Sequence, residues 1–107
     1  MSGEQGMDRI RIKVRSIDGD CSAGHFVGEE ILVDNLKLSS YVCPEALYAM
    51  WPMIQVLKFK GQLPWGDPDG IVVSCPDAGN LVRFEIRRVG SMQGIPHTSR
   101  KEGEAAL

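Results

Sequence analysis

From Arg9 the chain alternates strictly: Ile10, Ile12 and Val14 fall on one side, and Arg9, Arg11, Lys13 and Arg15 on the other. A period of two with β-branched residues on one face predicts a half-buried strand. Asp18-Gly19 is a turn signal that ends it. The loop Asp20–Gly28 follows, and a second strand is predicted over Glu30–Asp34, with Ile31 and Val33 on one face. A connection through Asn35–Val42 leads to the one convincing helical pattern. Pro44 suits a first helical position, Glu45 complements the dipole, and Leu47, Met50, Ile54 and Leu57 recur every three or four residues. Pro52 lacks the N–H that the helix would bond, so the expectation is a kinked helix or two short ones.

Pro64, Gly66, Pro68 and Gly70 mark Gly61–Gly70 as a loop. Ile71–Ser74 is predicted as a third strand running into Cys75, and Pro76–Asn80 as a turn. Leu81–Val89 is predicted as a fourth strand, where Val82, Phe84 and Ile86 alternate with Arg83, Glu85 and Arg87. The order β–β–α–β–β predicts an α+β fold: a small, mainly antiparallel sheet with the kinked or split helix packed on one face. Residues 1–8 are expected to be a mobile leader, 9–89 a single domain, and 90–107 a disordered tail that contains His97.

Composition narrows the function classes. Of the 107 residues 43% are hydrophobic and 24% charged, a globular balance, and the net charge of −2 gives no global reason to expect nucleic acid or an anionic membrane. The longest apolar region, Ala46–Leu57, is interrupted by Pro52 and Gln55 and is too short to span a bilayer. Met1–Asp8 has no apolar core of a secretion signal, so a cytoplasmic location is expected.

Three cysteines cannot form a fully paired disulfide framework. Cys21 and His25 share a glycine-containing loop, Cys43 stands at the predicted helix start, and Cys75 at a strand end. All four lie where side chains can converge without disturbing a core. Three thiolates and one imidazole suffice for tetrahedral zinc, and thiolates also hold iron–sulfur centres, though the spacing is not that of a common zinc finger. The leading expectation is therefore a metal-binding accessory module, with Cys21, His25, Cys43 and Cys75 as ligands, zinc as the metal and no catalytic residue. Three alternatives stand beside it. The thiols could simply be buried packing residues. Cys43, with its thiolate favoured by a helix N-terminus, could serve a small redox or thiol-transfer protein. Finally, Arg9, Arg11, Lys13, Arg15, Arg83 and Arg87 would share one sheet face if the first and fourth strands are neighbours. Such a face could bind RNA phosphates or an acidic protein partner, but it carries no interleaved aromatics for base stacking, and solvation is its simpler role. Trp51, Met50 and Met53 are expected in the core, and Trp65 as a loop anchor.

Cys21-Ser22-Ala23-Gly24-His25, then Val27-Gly28-Glu29, Cys43-Pro44, Pro64-Trp65, Cys75-Pro76-Asp77 and the Val82, Phe84, Ile86 alternation form an ordered series. The series resembles a family of small uncharacterised prokaryotic proteins, over about Ile10 to Val89. That resemblance implies a shared small domain rather than a reaction, and it carries over no catalytic residue. Members usually have Gly-Asp where this chain has Gly28-Glu29, and often Gly-Gly where it has Lys60-Gly61.

Overall fold

A computed structural model of the chain describes residues 7–91; residues 1–6 and 92–107, where most of the expected leader (1–8) and tail (90–107) and His97 fall, lie outside the described residues. Its elements run β1 (Asp8–Ile17), β2 (Glu30–Asp34), β3 (Lys37–Leu38), α1 (Pro44–Lys58), β4 (Gly70–Ser74) and β5 (Val82–Ser91). The strands form one antiparallel sheet in the order β3-β2-β1-β5-β4. This is an α+β fold, but its element order is not the expected β–β–α–β–β. Asn35 takes a left-handed conformation (φ 58°), so the chain turns at once and Lys37 and Leu38 pair with Asp34 and Val33. The added strand is too short for alternation to reveal it.

One-sided burial accounts for the alternation. Ile10, Ile12, Val14, Ile31, Val33, Val82, Phe84 and Ile86 form the covered face of the sheet, and Ala46, Met50, Ile54 and Leu57 of α1 pack onto it. Burying each larger aliphatic side chain contributes roughly 1.5–3 kcal/mol. Leu47, Trp51 and Met53 are only partly buried against this core, and Trp65 is 66% exposed, so it does not anchor its loop as expected.

The helix is neither split nor ended by Pro52, which lies within its 15 residues. Pro52 and Tyr48, whose carbonyl loses its intrahelical partner, are both exposed, so water can take that bond.

The far end of α1 is held by charged groups. The unbroken register that pairs Arg11 with Arg87 and Ile12 with Ile86 sets Arg88 opposite Ile10, on the covered face. From there its guanidinium donates to the carbonyls of Leu57 (2.8 Å), Gly61 (3.0 Å) and Pro68 (2.7 Å). Leu57 also accepts the Lys60 N–H at 3.1 Å, so Arg88 is a second donor at the helix end and ties the following loop to it. Lys58 is buried too; its Nζ donates to the Asn35 carbonyl at 3.2 Å, between the rings of Trp51 and Phe59. That burial holds the ammonium below its ordinary value of 10.5. Lys60 follows the helix in the left-handed region (φ 68°) and pairs with the buried Asp8 at 2.8 Å. Among the described residues no helix is long and apolar enough to cross a membrane.

Candidate functional site

At the opposite end of the helix, its N-terminal end, one small pocket is lined by Cys21, His25, Cys43 and Cys75 together. Strand order makes this possible. With β1 beside β5, the loop leaving β1 lies next to the β4–β5 turn, and α1 starts above both. Ala46, Val82 and Phe84 from the covered face also line the pocket, as do Glu45, Asp77 and Asn80. Its volume of about 60 Å³ has room for a few waters or one small group. All three cysteines are free and partly exposed.

His25 is the most constrained of the four. Its side chain is 1% exposed, stacked on Tyr41 (centroids 5.6 Å apart) and edge-on to Phe84 (5.8 Å). Nε2 accepts the backbone N–H of Cys43 at 3.0 Å, so the ring proton sits on Nδ1, which donates to Glu29 Oε1 at 2.7 Å. Cys43 is the N-cap of α1 and makes no side-chain cap bond of its own. In a capping box a Glu or Gln at the third helical position reaches back to the N-cap N–H. Here that position is Ala46, and His25 supplies the acceptor from another loop. The imidazole lone pair that a metal would need is therefore already engaged.

Cys75 is held by backbone on two sides. Its sulfur receives the Val82 N–H at 3.3 Å and faces the Asn80 carbonyl at 3.8 Å. Asn80 also ties the turn to the Cys21 loop, since its Oδ1 accepts the Asp20 N–H at 3.0 Å. The backbone at Gly19 passes so close to that side chain that a Cβ would collide with it, and its φ of 94° suits only glycine. Asn80 and Glu29 are thus part of the site although the sequence pattern did not single them out; the nearest hint is Glu29 standing four residues after His25.

Among the described residues no group of three or more His, Cys, Asp or Glu side chains is gathered closely enough to hold a metal ion as it stands. The four residues share a pocket rather than a ligand shell.

The other sheet face carries the cations, and β1 is indeed the neighbour of β5. Much of the charge is answered locally. Arg15 pairs with Glu85 (3.3 Å), Arg83 with Asp18 (3.2 Å), and Arg87 with both Asp67 (2.6 Å) and Glu85 (3.2 Å). The Arg87 hydrogen bond and charge hold the Asp67 carboxyl below its ordinary range. For Glu85 burial pushes upward, but bonds and charge from Arg87 and Arg15 outweigh it and the net shift is downward.

Fold and pocket together define a five-stranded antiparallel α+β domain with a thiol-lined pocket at its helix start. No family model matches the chain, and neither a curated protein nor a solved structure matches it.

Proposed function

We propose that the chain is a small cytoplasmic binding module, without catalytic activity of its own, whose pocket takes a thiophilic metal ion, zinc in the first place. The observation that carries this reading is that Cys21, Cys43 and Cys75 come from three separate segments and line one pocket. Rotation of the thiols inward would let them act as thiolate ligands, with the fourth position left to water or a partner's group. The Val82 N–H directed at the Cys75 sulfur suits a charged ligand. His25 serves as the support that fixes Cys43, not as the fourth ligand, because both its nitrogens are engaged. The metal would tie the β1 loop, the helix start and the β4–β5 turn together, so binding would add to folding stability.

Protein purified without oxygen is expected to carry one zinc per chain by elemental analysis. Replacing any one of Cys21, Cys43 or Cys75 by Ser is expected to weaken zinc binding, measured against a chromophoric chelator, by at least about tenfold. Metal-free protein that ignores added zinc and unfolds identically with and without a chelator would overturn the proposal. A visible spectrum distinguishes an iron–sulfur centre from zinc.

A further inference from the structure

β4 is an edge strand of the sheet, and part of its outer side is open. Its backbone reaches β5 at both ends: the Asp69 carbonyl accepts the Arg88 N–H at 2.8 Å, and the Cys75 N–H donates to the Val82 carbonyl at 2.9 Å. By strand alternation Ile71 and Val73 also face β5, while Gly70, Val72 and Ser74 direct their N–H and C=O groups outward. Gly70 closes its own pair with Asp67, at 3.0 and 3.4 Å. Among the described residues nothing bonds the outward groups of Val72 and Ser74. We propose that this edge pairs with the same edge of a second copy of the chain, antiparallel about a two-fold axis at Val73, so that two sheets become one.

The two edges of the sheet differ in how they resist such pairing. β3 is only two residues long and carries Lys37, both devices that discourage a neighbour. Gly70–Ser74 has no charge, no proline and no irregularity in its register. Val72 is 51% exposed, and it lines one recess of the outer sheet face with Trp65, the indole that anchors no loop within the chain.

Which groups are open fixes the register. With Val73 facing the partner's Val73, Val72 meets the partner's Ser74, and Ser74 meets the partner's Val72. Every open N–H and C=O of the edge then has a partner. Pairing also stops of itself at each end. Gly70 is taken by Asp67, while Pro76, the next outward residue, has no N–H and stands where the chain bends away. On the outer face Trp65 comes over the partner's Pro76, which is exposed in the single chain. The nearest carboxylates are engaged within their own chain, Asp67 by Arg87 at 2.6 Å and Asp77 by the Gly79 N–H at 3.0 Å. A second copy suits this edge better than a free peptide. Two open residues are too few to offset the ordering of a flexible strand, whereas a folded copy brings its strand already ordered and repeats each contact through the two-fold.

The test is sedimentation equilibrium of the full-length chain under a reductant, from about 1 µM to about 1 mM, with hydrogen exchange read at single amides. A reversible monomer–dimer equilibrium is expected, with the Val72 and Ser74 amides exchanging freely in dilute protein and becoming protected as the dimer forms. Ser74→Pro deletes an outward N–H on each copy while sparing the ladder to β5, and is expected to weaken dimerisation at least about tenfold. Val72→Lys sets a lysine from each copy on one face of the joined sheet and is expected to weaken it by at least about as much. It decides the question if the proline variant does not fold. A chain that stays monomeric at about 1 mM with both amides unprotected would overturn the proposal, as would a dimer that neither variant weakens. Protection of both amides in dilute, monomeric protein would assign the edge to another segment of the same chain and overturn it equally.

Discussion

His25→Phe separates the ring's packing from its two hydrogen bonds. Phenylalanine can keep the stack on Tyr41 and the edge contact with Phe84, so the change chiefly removes polar partners. The Cys43 N–H loses its acceptor at the helix start, which by analogy with a lost cap costs about 1 kcal/mol. Glu29 loses a charge-assisted bond worth roughly 1.5–3 kcal/mol when buried. The low end applies, because the Glu29 side chain is 18% exposed and retains the Phe26 N–H at 3.4 Å. The sum is about 2–3 kcal/mol, or roughly 30- to 150-fold in the folding equilibrium. For a domain of this size that lowers Tm by roughly 10–20 °C. Urea unfolding of both proteins with equal m-values measures the difference, and hydrogen exchange at the Cys43 amide is expected to accelerate beyond the global change. A His25→Phe protein within about 0.5 kcal/mol of the parent, with Cys43 still protected, would refute the capping role.

Other consequences can be checked in the same unfolding assay. Arg88→Met strips donors from the Leu57, Gly61 and Pro68 carbonyls and is expected to cost about 3 kcal/mol. Lys60→Ala and Lys60→Gly both lose the Asp8 pair, but only alanine keeps the strained left-handed backbone, so the alanine variant is expected to be about 1 kcal/mol less stable than the glycine one. The Glu85 carboxyl lies below its ordinary 4.5 in the folded state, so the folded chain binds fewer protons there than the unfolded chain. Its contribution is therefore full above that value and disappears as pH falls through the lowered one. Glu85→Gln is expected to flatten that part of the stability–pH curve between about pH 5 and 2, and an unchanged slope would contradict the pairing with Arg87 and Arg15.

The pattern of residues made the sheet legible where burial is one-sided, and only there. Ile10–Val14 and Val82–Ile86 alternate because one face lies under α1, and their pairing follows from that shared face. The two residues of β3 are too few to carry a period, and Pro52 argued for a break that an exposed helix face does not require. Asp8, Lys58 and Arg88 show a different limit. Each is a charged residue at a position whose period points inward, which marks it as paired, but the partners are carbonyls and opposite charges distant in sequence. For the site, residue type and placement at element ends were enough to select Cys21, His25, Cys43 and Cys75. Their assembly around one pocket depended on strand order. What distinguishes a ligand from a support is which lone pairs remain open. Both nitrogens of His25 are engaged; the three sulfurs line one pocket outside any disulfide, with only that of Cys75 receiving a backbone N–H, from Val82. On the metal site proposed above, replacing His25 is expected to weaken zinc binding by loosening Cys43 rather than by deleting a donor.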